Sequence, residues 1–163
     1  MNGIDIKQFM HQPQVDTNHC GPGTLGVQDA IEMLSIQSQE KVDILDVLSF
    51  DTEVFKVGTA ITYTPAESLF TLQSNGIYQV SYKANAQKYD IATPDLGLGI
   101  EQNRSLLMLN TIVQHYVSDT FTLVPLVNTI LFNVTTAPMT IRLVTVNMFG
   151  RFRLATMNIA KIG

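Results

Sequence analysis

Four residues near the start of the chain, His11, Asp16, His19 and Cys20, are of the types that ligate a metal or arm a nucleophile. Zinc needs three or four such ligands closing a tetrahedron, and paired Cys-x-x-Cys or His-x-x-x-His spacing normally marks a site of that kind; this group lacks both. Cys20 as a nucleophile would need His19 or His115 as its base, a third group to orient that base, and a cleft. No signature surrounds it, and the four residues read as parts of a polar segment. No metal, no cofactor and no catalytic residue is expected.

The remaining motifs read in the same way. Gly21-Pro-Gly-Thr is not followed by the Lys-Ser/Thr of a phosphate loop, and Leu96-Gly-Leu-Gly lies inside a strand pattern, where glycine marks close backbone packing or a bulge. Asn103-Arg-Ser and Asn133-Val-Thr match the glycosylation sequon, which matters only in an exported chain. Asp90, Asp95, Glu101 and Asp119 fall at expected turns and form no dense acidic loop for calcium. Arg151-Phe-Arg153 is the one local basic and aromatic cluster, read as a solvated hairpin with packed stems.

Composition bounds what such residues can serve. The 163 residues suffice for one well-cored domain. Only 15% are charged against 45% apolar, a thin supply of charge for a monomer that must keep its whole surface wet, so some surface is expected to be buried against partners. The net charge is -4 and no run of Lys or Arg forms a phosphate-neutralising patch, so nucleic acid is not an expected ligand. Cys20 is the only cysteine, which excludes an intrachain disulfide. Asp5, Lys7, Gln8, His11 and Gln12 interrupt the first 20 residues, and no apolar run reaches the roughly 18 residues of a membrane span; neither a secretory signal nor membrane insertion is expected.

Two regions emerge along the chain: an attachment segment over 1–45 and a β-domain over 46–163. The first 23 residues, punctuated by Pro13, Gly21, Pro22 and Gly23, read as an extended arm. Val27, Ala30, Ile31 and Leu34 then recur at helical spacing, with Asp29 and Glu32 near the start, and predict a short amphipathic helix over about 25–38. Its stripe would be covered by the β-domain or by the same helix of neighbouring chains. Ile4, Ile6, Phe9, Val27, Ile31 and Leu34 are the candidate anchoring residues.

Beyond about residue 44 the texture is β. Asn75-Gly76 signals a tight turn, and from Ile77 to Ala86 the apolar Tyr78, Val80, Tyr82 and Ala84 alternate with polar neighbours. Apolar runs follow at Leu96 to Ile100, Leu106 to Val117, Phe121 to Leu126, Thr129 to Val134, Met139 to Val146 and Leu154 to Ile162. Many short strands with no intervening helical pattern predict an all-β sandwich or jelly roll.

The order of these segments from residue 65 resembles the globular domain of the complement and tumour-necrosis-factor superfamily, and in texture is similar to the collagen-like spore-surface glycoproteins and related phage proteins. The resemblance rests on Phe70-x-Leu72 before a turn, Gly76-x-Tyr78-x-Val80-x-Tyr82, Leu98-Gly99-Ile100 before a polar turn at Asn103, and a last strand running to the end of the chain. It covers about 100 residues. No Gly-x-y repeat precedes it, so a collagen stalk is not expected.

The resemblance implies a tumour-necrosis-factor-like jelly roll that trimerises about a threefold axis through aromatic and aliphatic side chains. Tyr78, Val80, Tyr82, Phe121, Leu123, Ile130 and Phe132 are the candidates for trimer contact or core, and alternation alone leaves open which face which. The expected role is a homotrimeric structural protein of a phage virion, assembled in the host cytoplasm: a head fibre, capsid decoration or fibre component. It would be held to a capsid or fibre protein by its arm and could touch a glycan or protein on the host surface. The alternative is a structural or adhesive protein of a bacterial spore coat or cell surface. A jelly-roll enzyme would need a set of histidines on strands, and only His115 lies in one. Removal of residues 1–40 is expected, on this division, to leave a folded trimer.

Overall fold

The computed structural model describes residues 29–88, 95–147 and 150–162. Among them are eleven strands: β1 Asp29–Ser35, β2 Gln39–Lys41, β3 Thr52–Val57, β4 Ile61–Thr64, β5 Leu69–Leu72, β6 Gly76–Lys88, β7 Leu96–Gln102, β8 Leu106–His115, β9 Leu123–Val134, β10 Met139–Thr145 and β11 Gly150–Lys161. The helical content among these residues is a single 3-10 turn, Pro65–Glu67.

The strands form two antiparallel sheets. One runs β3, β1, β11, β6, β9, with β2 beside the start of β11; the other runs β4, β5, β10, β7, β8. From β5 onward every connection except the β7–β8 hairpin crosses between sheets. That alternation makes the sandwich a jelly roll. Period-two patterning explains the layering: Tyr78, Val80, Tyr82, Ala84 and Ala86 of β6 point inward with Ile31, Phe70, Leu98, Ile141 and Ile159 from the facing and flanking strands.

The helix expected over 25–38 does not form where the chain is described. Residues 29–35 are β1, laddered to β11 over seven pairs from Asp29 with Lys161 to Ser35 with Ala155, and to β3 on its other side. Over so few residues Ile31, Met33 and Ser35 satisfy alternation as well as Ala30, Ile31 and Leu34 satisfy a helical stripe, and two waiting strand edges decide the matter. The boundary moves accordingly: β1 and β2 lie within the segment expected to be an attachment arm, yet they belong to the β-sheet.

Two further expectations change. From Leu123 on, the runs Phe121 to Leu126 and Thr129 to Val134 are one continuous strand, β9, and Asn128 does not break it because its side-chain amide donates to the Thr111 carbonyl at 3.0 Å. Glu101 sits inside β7, buried and ion-paired with Arg142 of β10, and not at a turn. The Asn75-Gly76 turn is present, with Gly76 at φ 145° and the Asn75 side chain accepting the Ala137 amide at 2.8 Å, but it joins strands of different sheets. The β7–β8 hairpin turns at Asn103 and Arg104, both at positive φ.

Gly97 and Gly99 are close-packing glycines. A Cβ at Gly97 would run into the Val146 side chain and lie 2.9 Å from Gln114 Cγ. Gly97→Val is therefore expected to destabilise the fold by about 2–3 kcal/mol through overpacking, read as a lower urea midpoint at unchanged slope.

Asp29, the first described residue, pairs with Lys161 at the end of the sandwich where β6 begins. The opposite end carries the connections after Lys41, Lys88, His115 and Thr145.

Candidate assembly surface

Alternation places one set of side chains of the β3-β1-β11-β6-β9 sheet in the core and the other on its outer face. Ladder partners define rows across that face. One row is Val57, Ala30, Ala160, Gln79 and Leu131; the next is Phe55, Glu32, Asn158, Ser81 and Thr129; a third is Thr52, Leu34, Thr156, Lys83 and Val127. Glu32 and Lys83 are the two charges in these three rows, where an ordinary surface is charged at roughly a quarter to a third of its positions. These three rows are thus poor in charge and carry apolar side chains at both flanks, while the rows toward the other end of the same face add Glu40, Arg151 and Arg153.

The β9 flank is the more exposed. Leu123, Val127 and Leu131 recur every fourth residue on the outer side, 49%, 54% and 64% exposed. Leu109 of the adjoining β8 is 79% exposed. Pro125 also points outward there, tolerated because an edge strand can lack a donor. On the far flank, Phe55 and Val57 of β3 are exposed and Leu34 of β1 is partly covered.

The structure separates the candidate contact residues. Tyr78, Val80, Tyr82 and Phe132 are in the core, and Ile130 packs against it; Leu123 faces out. Phe121 belongs to neither the core nor a strand: it is 88% exposed in the turn before β9, where its amide and that of Thr122 donate to Asp119 Oδ1 at 2.8 and 2.7 Å. The Thr122 amide and hydroxyl, followed by the Phe121 amide, hold the Asp119 carboxyl below the usual carboxylate range. Lys88, buried at the end of β6, places its ammonium 5.5 Å from the Tyr116 ring centroid.

Val127, Leu131, Phe55 and Val57 were not picked out in the sequence. Treating β9 as two strands hid the parity: in one continuous strand, Leu123 and Ile130 cannot share a face. Among the anchoring candidates, Ile4, Ile6, Phe9 and Val27 lie outside the described residues, as do His11, Asp16, His19, Cys20 and Asp90. Ile31 is a fully buried core residue, and Leu34 lies on the outer face.

Among the described residues every buried side-chain polar atom has a hydrogen-bond partner. The Tyr82 hydroxyl donates to the Thr111 carbonyl, and burial pushes its pKa up to about 12. The Thr111 hydroxyl in turn accepts the Ile100 amide at 2.8 Å and donates to the Met108 carbonyl at 2.6 Å. Among the described residues no group of three or more His, Cys, Asp or Glu side chains could hold a metal ion. No described helix is long and apolar enough to cross a membrane.

No known protein family and no curated protein sequence matches the chain. Solved structures do. Murine APRIL at pH 5.0 superposes with a TM-score of 0.63 at 11% identity, covering 82% of this chain and 98% of that one. Eiger TNF from S. frugiperda gives 0.59 at 9% identity, over 85% and 94%. PRD1 vertex protein P5 gives 0.52 at 18% identity, over 85% and 99%. The fold is that of the tumour-necrosis-factor-like jelly rolls, shared with a vertex protein.

Proposed function

We propose that this chain is a homotrimeric structural protein of a virion, without enzymatic activity, held to its particle through the residues before Asp29. The observation that carries the proposal is the set of three charge-poor rows on the outer face of the β3-β1-β11-β6-β9 sheet, with exposed apolar residues on β9 at one flank and on β3 and β1 at the other. Two unlike patches on one face suit a heterologous contact, the β9 flank of one copy against the β1 and β3 flank of the next. Such a contact closes into a ring when its rotation closes, and the likeness to tumour-necrosis-factor-like chains favours three members.

Support for the virion role comes from the fold shared with PRD1 vertex protein P5 and from polarity along the sandwich. Asp29 lies at one end, and the loop holding Phe121 and Tyr116 lies at the other. A particle-bound trimer could thus present the second end outward to a host-surface glycan or protein. Native mass measurement on the full chain is expected to give three times the 18.1 kDa protomer mass, with the same chain recovered from purified particles. A lone protomer at micromolar concentration would overturn the trimer. A trimer absent from particles would overturn the virion role alone.

A further inference from the structure

Glu32 and Lys83, the two charges in the three apolar-flanked rows of the outer face, lie on opposite halves of it. Glu32 belongs to β1, between Phe55 of β3 and Asn158 of β11. Lys83 belongs to β6, between Thr156 of β11 and Val127 of β9. Each charge therefore stands one strand in from a flank, the anion on the Phe55 side and the cation on the Val127 side. Strand spacing and rise set them about 12 Å apart in one copy, and among the described residues neither belongs to an ion pair. Farther along the face the charges differ: Arg151 is already paired with Glu40, and Arg153 lies on β11, the middle strand.

We propose that Lys83 of each copy pairs with Glu32 of the next, which fixes the register and direction of the ring. The inference rests on the heterologous contact of the proposed trimer and names its polar partners. When the β9 flank of one copy lies against the β1 and β3 flank of the next, the strands one place in, β6 and β1, face each other across the wedge between the sheets. Lys83 and Glu32 stand one row apart, an offset of about 7 Å along the strands that a four-carbon lysine stem reaches across. Once the contact closes, Val127 on one side and Phe55 and Leu34 on the other keep water from the pair. An unmatched charge there is costly, and opposite charges select one register over its neighbours. Every copy gives Lys83 to one neighbour and Glu32 to the other, so a closed ring is fully paired.

Charge reversal tests the pairing, with sedimentation of the full chain as the readout. Lys83→Glu and Glu32→Lys are each expected to raise the concentration at which the trimer half-dissociates by at least about a hundredfold, while the far-UV circular dichroism stays that of the parent. Both reversals in one chain restore every pair with its sign exchanged, and should bring that concentration within about tenfold of the parent's. A mixture of the two single variants should not recover so far. In a ring of three, two copies of one kind must adjoin, and their contact sets like charges together. Full recovery in the mixture would overturn the ring direction in favour of a two-fold contact. Single variants that stay trimeric, or a double variant that stays dissociated, would overturn the pairing and leave the trimer standing; a parent that forms no trimer would overturn the reading beneath both. Should a reversed chain fail to fold, Lys83→Gln with Glu32→Gln decides. The parent trimer should weaken as sodium chloride is raised, and the neutral pair should lose most of that dependence; an unchanged dependence would overturn the pairing.

Discussion

A chain carrying Val127→Lys and Leu131→Glu together is expected to be a folded monomer at concentrations where the parent is a trimer. Both side chains project from the outer side of β9, with more than half of their surface open to water in the protomer. Charging them therefore costs the isolated protomer little, within about 0.5 kcal/mol each. At a closed subunit contact the same two groups would be desolvated without partners, at roughly 2 kcal/mol or more apiece. Together that weakens association by about a thousandfold. Light scattering and far-UV circular dichroism on the same samples check both halves of the expectation. Ile130→Glu serves as the opposite control, since Ile130 packs against the core; it should impair folding itself. A double variant that remains trimeric at low micromolar concentration would remove the β9 flank from the interface.

How much of this surface was legible in the sequence depends on parity. The alternation from Ile77 to Ala86 needs no structure to interpret, and β6 follows it residue by residue. The outer face of β9 needed more, because an asparagine in the middle of an apolar run reads as a break unless its partner is known. That partner, the Thr111 carbonyl, comes from a strand 17 residues earlier in the chain. The same limit applies to β1. Seven residues fit two periods, and only the ladders with β11 and β3, formed by residues far along the chain, choose between them. Local chemistry was readable where it is local: Asn103 turns the β7–β8 hairpin, and the glycines of Leu96-Gly-Leu-Gly sit in a close-packed strand. Glu101 was misplaced because its partner Arg142 is 41 residues away.

The placement of β1 also decides where the chain can be cut. A protein lacking residues 1–28 keeps every strand described and is expected to fold and trimerise. Removal of residues 1–40 takes β1 and most of β2, and the outcome should differ in kind. It deletes Ile31 and Met33 from the core, each worth about 1.5–3 kcal/mol of burial. β3 loses its one ladder partner, and β11 loses the neighbour to which it is laddered from Ala155 to Lys161. Set against a typical total of about 5–15 kcal/mol, the side-chain losses alone remove a large share of stability, and the freshly bared edge of β11 lies at the centre of the sheet. An exposed central strand of that length invites aggregation more than it permits a trimer. The shorter chain should therefore be insoluble or lack a cooperative thermal transition, while the 29–163 protein melts cooperatively but no longer joins its particle. Recovery of a soluble, cooperatively melting 41–163 trimer would show that β1 is dispensable to the fold.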